Sequence, residues 1–260
     1  MSWPRIKTVL LHSWYHAMHS PETWADLVWF TFINILVFGL LSKVLGQNSQ
    51  TFVSMLMLGY VFWEIIRVAQ YSVSISILWE IWAKSFSSLF ITPLTLAELM
   101  VGQMISATVK TFMVFLLTAG LSALFFNFSV FLLGPMLLLY GMILLWFAFA
   151  AGIFITGMLF RYGTNLAALA WSLIYIVQPI SAVFYPVEAL PASIRWISYL
   201  SPVTYVMESS RSQLSTGNVN WAYLGLATLI TAFYFIASWR YMDMMYTHSK
   251  RTGSFARLGN

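Results

Sequence analysis

The chain has 260 residues, of which 60% are hydrophobic and 8% charged, and its mean hydropathy is +0.79. Soluble domains carry about 25% charged residues, so this composition excludes a soluble globule and predicts an all-α polytopic membrane protein with one membrane domain spanning 1–260. The net charge of +5 fits basic cytoplasmic loops better than a nucleic-acid surface, and the lack of cysteine excludes disulfides, iron–sulfur clusters and thiolate zinc sites.

Taken in order, Trp3 to His19 reads as an amphipathic helix within an interfacial segment 1–20, with Ile6, Val9, Leu10, Ser13 and Ala17 on one face. His12, His16 and His19 have metal-like helical spacing, but no acid or cysteine stands near them in sequence. They read as a wetted face, and no metal site is expected. The first residues carry no small-residue cleavage site, so no signal peptide is expected. Ser20-Pro21-Glu22 is a helix start signal, and the first membrane span is predicted over Leu27–Leu45. A second span begins near Thr51 and carries Glu64 and Arg67 on one face.

A break is predicted from Trp79 to Glu98, holding a short surface helix over 79–91 that Pro93 ends. The third span, Leu99–Phe125, contains Lys110. The fourth apolar stretch, Val130–Phe160, is too long for a straight crossing and must tilt, kink or begin outside the core. Within it Ala148, Gly152 and Thr156 form a small-residue face for close helix contact. A fifth span is predicted over Leu166–Ile180 and a sixth over Trp221–Trp239.

Between these last two, Pro179, Pro186, Pro191 and Pro202 interrupt an otherwise apolar stretch. The pieces are too short to span, so two half-helices over 185–213 are expected to dip into the membrane from one side. Six spans put both termini on one side. If that side is the cytoplasm, it holds Arg5, Lys7, Lys84, Arg161, Arg240, Lys250, Arg251 and Arg257, against Lys43, Arg195 and Arg211 opposite. The positive-inside rule therefore predicts cytoplasmic termini, a cytoplasmic 79–91 helix and an external proline-broken stretch.

No catalytic set is visible, and there is no Gly-x-x-x-x-Gly-Lys-Ser/Thr loop for ATP. Glu64, Arg67 and Lys110 are the candidate intramembrane charges, expected to meet in the inner half as an ion pair or as substrate contacts. Trp29, Trp63, Trp146 and Trp171 lie deeper than the interfacial tryptophans. They read either as helix packing or as lining for an amphiphilic substrate. A proton-coupled carrier would call for matched broken helices in two repeats, and only one broken segment is clear. An intramembrane lipid- or glycan-modifying enzyme would need converging acids, histidines or metal ligands, which are missing.

Thr92-Pro93-Leu94-Thr95, Ala182-Val183-Phe184-Tyr185-Pro186 with Leu190-Pro191, and Ser201-Pro202-Val203-Thr204-Tyr205 together resemble the permease subunits of type-2 ABC exporters. Ser201 stands where that family usually has Asn. The group exports polysaccharides, nodulation factors and hydrophobic antibiotics, and Val183-Phe184-Tyr185-Pro186 is most similar to the nodulation-factor and drug branch. The resemblance implies a homodimer in the plasma (inner) membrane joined to two copies of a separate ATPase, which binds ATP and Mg, with no cofactor in this chain. It implies that 79–91 is the coupling helix, with Glu80, Trp82, Lys84 and Phe86 docking the ATPase. It also implies an extracellular gate at Phe184, Tyr185, Pro186, Pro191 and Trp196.

Overall fold

Ser, Thr, Pro and Gly decide where the helices of this chain start and stop. In the computed structural model, which describes residues 2–46, 49–83 and 92–252, no strand is present among the described residues. Helix α1 is Trp3–His19 and buries Ile6, Val9 and Ser13, the face expected from periodicity. Ser20 caps the next helix by accepting from the Thr23 N–H at 3.4 Å, and α2 runs from Pro21 to Leu45. The span therefore begins six residues before the predicted Leu27, because the start signal and the apolar run are one helix. Its Ala25–Phe30 segment is a π turn.

Ser49 caps α3, Gln50–Trp82, a single helix of 33 residues. The predicted break at Trp79 is thus corrected: Trp79–Trp82 is the last turn of α3, since no proline interrupts it and Ile77, Leu78 and Ile81 are buried there. The remainder of the predicted 79–91 helix lies largely outside the described residues. A capping box between Thr95 and Glu98 starts α4, Leu96–Phe126, which stops at Asn127 in the left-handed region. Gly134 and Pro135 then split the over-long fourth stretch into a short 3-10 turn and α5, Met136–Tyr162.

The predicted fifth span is only α6, Leu169–Ile180, at 12 residues. That is about 18 Å of helix, short of the ~30 Å hydrocarbon core. Beyond it the prolines fall at element boundaries: Pro186 precedes a 3-10 turn, Pro191 precedes α7 (Ala192–Ser198), and Pro202 opens α8 (Pro202–Thr216). Helix α9, Trp221–Thr252, extends well past the predicted Trp239. Among the described residues five helices, α2, α3, α4, α5 with the turn that follows it, and α9, are long and apolar enough to cross a membrane.

Helix α3 is the hub. Its most apolar window is 83% buried against 22% for α9, so α3 is enclosed by its neighbours while α9 lies on the rim. The small-residue face works as expected: Gly152 lets α5 approach α3 at Val73 and the Gln70 carbonyl.

Side-chain contacts sort the turns into two ends. At one, Lys43 Nζ donates to the Phe125 carbonyl, Gln50 Nε2 to that of Phe126, and Gln213 Nε2 to that of Leu133. At the other, the Ser2 N–H donates to Glu98, Arg5 to the Pro93 carbonyl, and Ser249 Oγ to the Phe160 carbonyl, while His12 pairs with Glu80. The start of α1 and the end of α9 therefore share one end of the bundle.

Candidate functional site

The most polar part of the interior is built on α2 and α3. Glu64 and Arg67 lie one helical turn apart, so their side chains meet on one face of α3. Arg67 Nε donates to Glu64 Oε1 at 3.0 Å, and Nη2 donates to Oε2 at 2.8 Å. The remaining edge of the guanidinium reaches across to α2, where Nη1 lies 3.2 Å from Asp26 Oδ2. Thr31 Oγ1 accepts from Arg67 Nη2 at 3.2 Å and donates to Glu64 Oε2 at 3.0 Å, and Tyr60 OH donates to the Thr31 carbonyl. Glu64 is 2% exposed and Arg67 7%, so the charges are held by each other rather than by water.

Asp26 belongs to this cluster and the sequence reading left it out. It lies within the π turn of α2, one residue before the predicted start of the span. The available signal was the continuity of the start motif into the apolar run. Lys110, expected here, is elsewhere: it faces α1 from α4.

One turn or so toward the opposite end, the chain after α6 folds back onto α3. An ideal Cβ on Gly59 would stand 2.3 Å from the Val183 carbonyl oxygen, so only glycine admits this approach. Ala182 is left-handed at φ 52°. Arg211, buried on α8, fixes the elbow by donating to the Ala182 and Val183 carbonyls at 2.7 and 2.6 Å. Its partner Glu208 accepts from Arg211 Nη1 at 2.9 Å and from the Val187 N–H at 3.0 Å. The arrangement satisfies backbone groups that a broken membrane segment would otherwise leave bare. Phe184 stacks on Phe38 at 4.7 Å, and Phe38 on Tyr60 at 5.6 Å, so contacts run without a gap from the elbow to the charge cluster.

A sequence comparison stands beside this geometry. Residues 4–214 match the ABC-2 type transporter family. The chain belongs to that family. No curated protein matches it. It is a multi-pass membrane permease, a transport subunit of the kind that typically pairs with a separate ATPase.

In this ABC-2 permease the other predicted residues are scattered. Trp63 is buried with its ring 6.1 Å from Tyr175, and Trp171 stacks on Trp82 at 6.0 Å. Trp146 faces α9 instead, against Phe235 at 4.8 Å, and Trp29 is exposed on the rim. Glu80 pairs with His12, His16 lies against Trp79, and His19 bonds the Tyr15 carbonyl; no metal-holding group exists among the described residues. Lys84 and Phe86 lie outside the described residues. Tyr185 OH donates to the Pro179 carbonyl, Pro186 and Pro191 delimit the short turns, and Trp196 points outward.

Proposed function

We propose that this permease forms the membrane half of an ATP-driven exporter that moves an amphiphilic substrate outward across the plasma membrane. The substrate class is a glycolipid, a lipid-linked glycan or a hydrophobic drug-like compound. Two copies of the chain pair, and two separate ATPase chains supply ATP hydrolysis. The chain crosses six times, with α6 and the broken stretch 181–216 together making the fifth crossing. Two features support this: α1 and the end of α9 share one bundle end, and that end carries Arg5, Lys7, Arg161, Lys250 and Arg251. The positive-inside rule makes it cytoplasmic.

In this reading the ATPase docks at the cytoplasmic end of α3, at Glu80 and Trp82 with Lys84 and Phe86 beyond. The hub position of α3 then carries nucleotide-driven movement into the bundle. The external gate is the elbow at Phe184–Pro186 with Pro191 and Trp196, held shut through Arg211. Glu64, Arg67, Trp63 and Trp171 stand nearest the route between them. An apolar cavity of about 630 Å³ between α5, α6 and α9, with Ser181 and Ser201 in its wall, suits the hydrocarbon part of an amphiphile.

The carrying observation is the continuous α3 helix, which joins the predicted docking turn to the charge cluster and the elbow. Co-expression with a separately encoded ABC ATPase from the same organism, followed by native mass measurement, tests it. The expected result is a two-plus-two complex that Trp82→Ala with Lys84→Glu dissociates, while each variant chain keeps its melting temperature. A chain that purifies with no ATPase would overturn the reading.

A further inference from the structure

Lys110 and its surroundings form a second site, which borders the charge cluster through Leu27. It shares in the walls of two adjoining cavities beneath α1. The smaller, about 40 Å³, has a mixed lining that includes His16, Ser76, Glu80 and Gln103. The larger is a groove of about 390 Å³ between α1, the first turns of α2 and the middle of α4. Its walls are apolar apart from Ser13, Thr23, Ser106 and two cations, Lys7 and Lys110.

Among the described residues the ion pairs join other groups: Arg5 with Glu98, Arg67 with Asp26 and Glu64, Arg211 with Glu208, and, in the wall of the smaller cavity, His12 with Glu80. Lys7 and Lys110 have no carboxylate partner among the described residues. The imidazole of His16 is held below its usual value by burial first, and then by the nearby ammonium of Lys110. An uncompensated lysine inside a membrane domain is costly unless an anion meets it.

The groove opens sideways. Leu11, Trp14, Met18, Val109 and Met113 in its walls are 46–60% exposed, on a face that acyl chains meet in a bilayer. Two lysines bordering an apolar slot complement one molecule class: a phosphate joined to long hydrocarbon chains. We propose that this groove binds one anionic phospholipid from the adjoining leaflet, its phosphate on Lys110 and Lys7 and its acyl chains along the slot between α1 and α4. The bound lipid ties α1 to α2 and α4.

The test is native mass spectrometry of the full chain, titrated with phosphatidylglycerol or phosphatidylcholine of matched acyl chains. One phosphatidylglycerol per chain is expected to bind at least about fivefold tighter than phosphatidylcholine, the worth of roughly one lysine at an anionic surface. Lys110→Gln is expected to abolish that preference, Lys7→Gln to reduce it, and Lys110→Arg to retain it. Millimolar inorganic phosphate should not displace the lipid. Equal retention of both lipids, an unchanged preference in Lys110→Gln, or displacement by phosphate alone would each overturn the proposal. Lys7 is solvent-exposed, so Lys7→Gln keeps the test decisive should Lys110→Gln fail to fold. The readout needs neither ATPase nor transport, so it stands or falls apart from the export reading.

Discussion

Arg67 divides one guanidinium between two carboxylates, and truncating it strands Glu64 in the core. Arg67→Ala is expected to cost about 3 kcal/mol or more, the usual penalty for leaving one member of a buried pair. Replacing all three charges together, Asp26→Asn with Glu64→Gln and Arg67→Met, is expected to cost less than Arg67→Ala alone. Thermal melting of the detergent-solubilised chain measures both; a triple variant worse than the single would contradict the mutual-compensation account. The Glu64–Arg67 pair was legible in sequence because spacing along one helix fixes it. Asp26 was not, since its partner lies 41 positions away and helix-to-helix facing is not written in local pattern. The same blindness assigned Lys110 to the wrong neighbour.

At the scale of elements, two of the close approaches made at glycine bear on the hub. Gly152→Ala places a Cβ 2.9 Å from Val73 Cβ and 3.1 Å from the Gln70 carbonyl, so α5 must move off the hub. Gly59→Ala meets the Val183 carbonyl at 2.3 Å, and backbone cannot rotate away. Each is expected to cost about 1–3 kcal/mol, as overpacking does. They differ in readout: Gly59→Ala, like Arg211→Ala, is expected to speed limited proteolysis within residues 181–201, while Gly152→Ala should leave that segment protected. Equal cleavage in all three would show that Arg211 does not pin the elbow. Start signals, capping residues and prolines were readable and set most boundaries here. The true lengths of α3 and α9 were not, because polar residues near the ends of long helices look like loops when only composition is weighed.

For the whole molecule, the two-ended arrangement makes a prediction about sidedness. The chain lacks cysteine, so single cysteines can report it without background. Asn218→Cys, beyond α8, is expected to react with a membrane-impermeant maleimide added outside intact cells, whereas Thr8→Cys and Lys250→Cys should react only after lysis. Labelling of Asn218→Cys and Lys250→Cys under the same condition would refute six crossings. The membrane class was expected from hydropathy, as was one bundle end for the start of α1 and the end of α9. The predicted fifth span, Leu166–Ile180, is helical only from Leu169, because its first residues belong to a 3-10 turn that hydropathy does not register.

The pairing of Glu64 with Arg67 inside a single helix bears on how α3 first enters the bilayer. During synthesis, a segment leaving the translocon has no neighbours to neutralise its charges. Arg and Asp near a helix centre each add about 3 kcal/mol to insertion, and Glu is comparable in kind. Because the two charges of α3 satisfy each other before α2 docks, the hub helix carries its own counter-ion across the insertion step. Asp26 then joins as the bundle closes. Moving either charge to a neighbouring helix, even with the final contacts restored, would leave α3 harder to insert.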